Sequence, residues 1–243
     1  MFRFLSNNAS NQEKEKKKDY RNVVIIQVVI IVSGLVLSTF TNYTQPAFSD
    51  KLIITLFSGF GAFYSFLLWD LLKDFTTSKL LIGVFLIVLI AIVIIGLLGE
   101  FPFYQILEIE NRRMYLFGLH AGLFPIEITV IGFAIRDLFS GNVYTQSKLW
   151  GAAAVYLMIG ISFASLYDLI NIANPGILGI ELSLGLGSYS EFIYYSFNIL
   201  GGLDTAYPNP SPLLRNLGVI EAVWANLYAI LIIGKLLGLP SKK

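Results

Sequence analysis

From Tyr189 to Leu237 the chain reads YSEFIYYSFNILGGLDTAYPNPSPLLRNLGVIEAVWANLYAILIIGKLL. Its first apolar piece, Ser190 to Leu200, is far too short to cross a hydrocarbon core roughly 30 Å thick. Gly201 to Pro212 follows, with glycines and prolines that no lipid-facing helix tolerates. From Leu217 to Leu237 the chain is long and apolar enough for a full crossing. Irregular backbone at membrane depth survives only where it is buried in protein or lines a water-filled cavity. A half-helix, a non-helical loop and a complete span in that order predict a re-entrant loop.

Composition gives this loop a membrane setting. Of the 243 residues, 56% are hydrophobic and only 14% charged, and the mean hydropathy is +0.70. A soluble domain carries about a quarter charged residues, so the chain reads as an all-α integral membrane protein. The absence of cysteine excludes disulfide frameworks and thiolate metal sites, and the single histidine, His120, excludes a multi-histidine cluster. No metal or organic cofactor is expected. Residues 1–21 are polar and carry Glu13-Lys14-Glu15-Lys16-Lys17-Lys18, which predicts a disordered or interfacial cytosolic tail near anionic headgroups.

Six apolar stretches are long enough to span: Asn22–Thr41, Leu52–Leu72, Leu80–Leu98, Tyr115–Phe139, Leu149–Leu169 and Leu217–Leu237. With the basic head inside, alternation leaves Lys73, Lys79, Arg136, Lys148, Lys242 and Lys243 in the cytosol. Lys51, Arg112, Arg113 and Arg215 fall outside. That imbalance follows the positive-inside rule, puts both termini in the cytosol of a multi-pass cell-membrane protein, and places 170–214 on the outer side. Residues 100–113 read as an amphipathic outer interfacial helix. No internal repeat is visible, which weighs against inverted-repeat transporters.

From about Val143 onward the chain resembles the bacterial ion-channel family that shares the two-helix potassium-channel pore. KLWGAAAVYLMIGISFASLYDLI matches its outer helix, YSEFIYYSF its pore helix, and SPLLRNLGVIEAVWANLYAILIIGKLLG its inner helix. The last piece is the most specific, agreeing at Pro212, Arg215, Leu217, Glu221, Leu227, Tyr228 and Gly238. The resemblance implies a homo-tetramer in membrane lipids that conducts potassium or sodium. It divides the chain into a four-helix membrane domain over 22–142 and a pore domain over 143–243. The filter departs from the family pattern. Gly201 and Gly202 stand at the two threonine positions, and Leu203, Asp204, Thr205 and Ala206 stand where Val-Gly-Tyr-Gly is usual. Without alternating glycines, successive carbonyls cannot all turn toward an ion, so low potassium-over-sodium selectivity is expected.

Several residues carry the expected chemistry. Four Asp204 side chains around an axis would form a charge ring that attracts cations; the plain alternative is an Asp capping a turn. Glu221, a turn into the last span, is expected to support the filter, with Tyr194 or Tyr195 beside it, or else to sit solvated at the interface. Asn226 and Tyr228 either face the pore or pack between helices, and Lys235 snorkels to headgroups. His120 and Glu127, seven residues apart on one helix face in a span that also holds Pro125, are a conceivable proton-sensing pair but more often structural. No span carries an Arg-x-x-Arg ladder, so charge-driven voltage sensing is not expected. Hydrolase, P-loop and dinucleotide motifs are missing, which leaves no enzyme reading and no nucleic-acid role. The competing functional reading is a non-conducting structural or regulatory membrane subunit with a sealed loop; a small transporter is a third.

Overall fold

Among its described residues, the computed structural model has six helices of 22 to 39 residues and one of 15. It describes residues 2–40, 48–76, 78–100, 110–140, 145–182, 184–204, 207 and 209–238. The helices are α1 Phe2–Phe40, α2 Phe48–Phe75, α3 Lys79–Glu100, α4 Arg112–Phe139, α5 Gln146–Ala173, α6 Leu186–Leu200 and α7 Pro212–Gly238. No strand occurs among the described residues. Among the described residues, five helices (α1, α3, α4, α5 and α7) are long and apolar enough to cross a membrane. The span of α3 has a mean hydropathy of 3.5 with only 6% of it buried, and Leu80 and Ile87 are 80% and 70% exposed. So much exposed aliphatic surface fits lipid rather than water.

Cross-helix contacts fix the alternation of direction. Trp69 Nε1 near the end of α2 donates to the Ile82 carbonyl at the start of α3, at 3.2 Å. Tyr115 Oη at the start of α4 donates to the Ile95 carbonyl near the end of α3, at 2.6 Å. Tyr228 Oη in the second half of α7 donates to the Ala152 carbonyl in the first turns of α5, at 2.9 Å. One end of the bundle therefore gathers the end of α2, the starts of α3 and α5, and the ends of α4 and α7.

At that end the polar head departs from the expected tail, because α1 runs as one helix from Phe2 through the basic run. The spacing of Glu13 to Lys17, acid four residues before base, favours the helix locally. Tertiary contacts add to it. Lys16 Nζ lies 2.5 Å from Asp137 Oδ1 at the end of α4, Lys17 Nζ reaches Gln146 Oε1 at 2.5 Å, and Tyr20 Oη donates to Asp137 Oδ2 at 3.2 Å. Tyr20 is fully buried, against Gly151 of α5, where an added Cβ would fall 2.9 Å from its ring. The outer interfacial helix expected over 100–113 lies largely outside the described residues; Arg112 and Arg113 begin α4.

α5 is the hub, packed by α1, α4, α6 and α7. Its buried positions include Gly151, Ala152, Ala154, Gly160, Ser162, Ala164 and Ser165. Such small residues let helices approach closely where lipid supplies no hydrophobic drive between them. Gly160 shows how tightly α6 is seated, since a Cβ there would lie 2.7 Å from both Leu200 Cδ1 and Phe197 Cζ. α1 packs on α5 and α6 as well as on α2, so the two sequence-defined domains share a face.

Candidate functional site

The site is built where α5, α6 and α7 meet. α6 begins beside the last turns of α5, where Ser188 Oγ donates to Asp168 Oδ1 at 2.7 Å and Asn171 Nδ2 to Ser188 Oγ at 3.4 Å. It ends midway along α5, where Ser196 Oγ donates to the Gly160 carbonyl at 2.8 Å and Tyr156 Oη to the Leu200 carbonyl at 3.2 Å. The chain is then back at the far end of α5 by Asn209–Ser211. Ser211 N donates to the Ile177 carbonyl at 2.7 Å, and a Cβ on Gly179 (φ +81°) would meet the Asn209 carbonyl oxygen at 2.5 Å. On the return leg, Tyr207 Oη donates to the buried Glu191 carboxylate of α6. Burial, and then that carboxylate, push the Tyr207 hydroxyl above its ordinary range, so it stays a donor.

Glu221 is the keystone of this unit. It is fully buried, and Tyr167 of α5 donates to its Oε2 at 2.6 Å while Ser196 of α6 bonds its Oε1. A buried carboxylate demands such partners, and here they belong to two different helices. Tyr195, 3% exposed, joins through its ring, which meets that of Tyr167 edge-on at 5.4 Å. Tyr194 stacks edge-on against Tyr207 at 6.3 Å.

Gly201 and Gly202 end α6 in a Schellman motif. Leu203 N donates to the Asn198 carbonyl at 2.9 Å and Gly202 N to the Ile199 carbonyl at 3.1 Å, with Gly202 at φ +66°. Only a residue free to take the left-handed region closes a helix this way at no steric cost, which accounts for glycine there. Among the described residues 201–204, Gly202 alone has positive φ, so this stretch holds no alternating carbonyl ladder. Leu203, 65% exposed, and Asp204, also exposed, follow the cap; Thr205 lies outside the described residues.

On α7, Leu214, Gly218, Glu221, Ala225, Tyr228 and Ile232 form one buried stripe at three- and four-residue spacing. Tyr228 is therefore a packing residue, whereas Asn226 lies on the exposed face with Val223, Trp224, Leu227 and Ile230. Lys235 sits in the last turn of α7, half-buried.

His120 and Glu127 do not pair. His120 Nδ1 points to Asp168 Oδ2 of α5 at 3.1 Å, and its ring meets Tyr189 of α6 edge-on at 5.8 Å. Asp168, 1% exposed, thereby joins α4, α5 and α6. Ser165, Asp168 and Asn171 recur at three-residue spacing on α5, a polar stripe in an apolar span that marks this face in the sequence itself. Pro125 leaves α4 continuous, with Thr129 Oγ1 donating to its carbonyl at 2.7 Å. Among the described residues, no three His, Cys, Asp or Glu side chains converge as metal ligands.

Neither a family model, nor a curated protein, nor a solved structure matches this chain.

Proposed function

We propose that the chain is one subunit of a homo-tetrameric membrane channel that passes monovalent cations, potassium and sodium, with little discrimination between them. The observation that carries this reading is the path of α6: it ends midway along α5, and the chain returns to the end from which α6 started. In a bilayer that path is a re-entrant pore loop, with α2 as the sixth span and 143–243 as the pore domain. One such loop encloses nothing, so several copies must share an axis; four is the number that the resemblance in the inner helix implies.

Three further features support a cation pore. The carbonyl end of α6 lies beside the middle of α5, and there the helix dipole favours positive charge. Asp204 stands exposed on the returning loop. α7 is held by a single stripe, so its outward face, Asn226 included, is free to line an axis or meet another copy. The Gly201–Gly202 cap in place of a carbonyl ladder accounts for the expected poor selectivity.

Topology and stoichiometry test the architecture together. The native chain has no cysteine, so single cysteines can be placed at the exposed positions Lys14, Glu181 and Asn209. Glu181→Cys and Asn209→Cys are expected to react with an impermeant thiol reagent from outside the cell, and Lys14→Cys only after the cytosolic face is opened. Ser188, 1% exposed, is expected to stay unlabelled as cysteine. Native mass analysis of the purified protein should give four copies. Labelling of Asn209→Cys from the cytosol alone, or any other stoichiometry, overturns the proposal.

A further inference from the structure

A second site lies away from α7 and the pore loop, among α1 to α5 and the start of α6. A cavity of about 190 Å³ is lined there by side chains such as Ile92 of α3, Leu119 and Leu123 of α4, Tyr64 of α2 and Tyr189 of α6. Among its described lining residues the one carboxylate is that of Glu127, 6% exposed, whose Oε2 is buried without a hydrogen-bond partner. The nearest candidate partner in sequence, His120, is turned to Asp168 instead. The hydroxyls that line the cavity each bond another group, and Ser165, with Ser162 on the same helix, stands beside the carboxylate. Tyr64 Oη accepts from Gln27 Nε2 at 3.4 Å, Ser65 Oγ donates to the Gly61 carbonyl at 3.0 Å, and Ser165 Oγ and Tyr189 Oη share a bond at 3.3 Å.

A buried carboxylate oxygen with no donor is costly, and in a membrane span it marks a site whose partner must be found. The lining decides what that partner is. Ordered water can sit only at the polar end, beside Glu127 and the hydroxyls of Tyr64, Ser165 and Tyr189, and leaves the aliphatic wall of Ile92, Leu119 and Leu123 unfilled. An inorganic cation would have to exchange its hydration shell for one carboxylate. A phospholipid headgroup would bring a phosphate, and among the described lining residues there is no Lys or Arg to receive it. We propose that the cavity binds a small amphipathic ammonium ion, with its charged head on Glu127 and its alkyl part against Ile92, Leu119 and Leu123. The Tyr64 and Tyr189 rings add aromatic surface that suits a cation. A dry cavity of about 150 Å³ takes a six-carbon ring, so the present one suits an amine of six to eight carbons. The site stands whether or not the chain conducts.

The test uses the full chain in maltoside micelles, with hexylammonium chloride as probe and hexanol as its uncharged counterpart. Hexylammonium is expected to raise the thermal unfolding midpoint saturably, and hexanol is not. Glu127→Gln is expected to weaken the apparent affinity for hexylammonium at least ten-fold. Gly61→Leu supplies an arm that leaves the carboxylate intact. Gly61 lines the cavity and a Cβ there meets nothing within 4 Å, so the larger side chain fills the space without a clash at its root. It should abolish the shift even where Glu127→Gln fails to fold. Equal response to hexanol and hexylammonium, or undiminished binding in Gly61→Leu, overturns the proposal.

Discussion

Replacing Glu221 with alanine is expected to destabilise the protein by about 2–4 kcal/mol, because neutral hydroxyl partners lose a buried bond and a cavity remains where the side chain was. Tyr167 would lose its acceptor inside a dry interface among three helices, and Ser196 would keep the Gly160 carbonyl but lose its bond to α7. The loss removes the link by which α7 holds α6 to α5, so the returning loop should loosen along with the fold. Glu221→Gln keeps the shape and one acceptor oxygen, and is expected to cost less, about 1–2 kcal/mol. Tyr167→Phe should also cost about 1–2 kcal/mol, and in the Glu221→Ala background almost nothing, because the bond is already gone. Reversible unfolding in micelles, read as a double-mutant cycle, measures these differences. Additive effects of the Glu221 and Tyr167 substitutions would mean that the bond contributes no coupling.

The second large effect is expected in conduction. If four Asp204 carboxylates ring the outer mouth, Asp204→Asn removes four negative charges with almost no change of shape. Cation conductance should then fall several-fold at low ionic strength, where exposed charges act over about 30 Å, and much less near 1 M salt, where they act over about 3 Å. Because Asp204 lies beyond the Schellman cap and is exposed, folding and assembly should be unaffected. If Asp204 served only in a turn, asparagine would replace it almost silently. Single-channel recordings of both proteins at two salt concentrations distinguish the two roles, and equal conductance at low salt would remove Asp204 from the mouth.

The helices themselves were largely legible in the sequence, because apolar length is a local property: α3, α4, α5 and α7 coincide with expected spans to within a few residues. α6 was also legible as a short apolar piece before a Gly/Pro-rich loop, although it begins at Leu186, ahead of the expected Ser190. The helical head of α1 was not, since its polar composition points to a tail and only Asp137 and Gln146, more than a hundred residues away, show what holds Lys16 and Lys17. The same distance in sequence hid the partners of Glu221 and His120. Glu221 was identifiable as an intramembrane carboxylate, but its donors come from helices whose relative rotation no local pattern fixes. His120 and Glu127 share a face by spacing, yet Asp168 on the neighbouring helix takes the histidine. The roles of Gly201 and Gly202 depended on backbone geometry, and a helix cap and a filter strand both use glycine.

Bi-ionic recording tests the central claim most directly: the full chain reconstituted in a planar bilayer, with potassium on one side and sodium on the other. Conductance that excludes chloride and reverses near zero voltage, with a potassium-to-sodium permeability ratio close to one, is the predicted result. A reversal potential showing strong potassium preference, or no conductance at all from assembled protein, would contradict it.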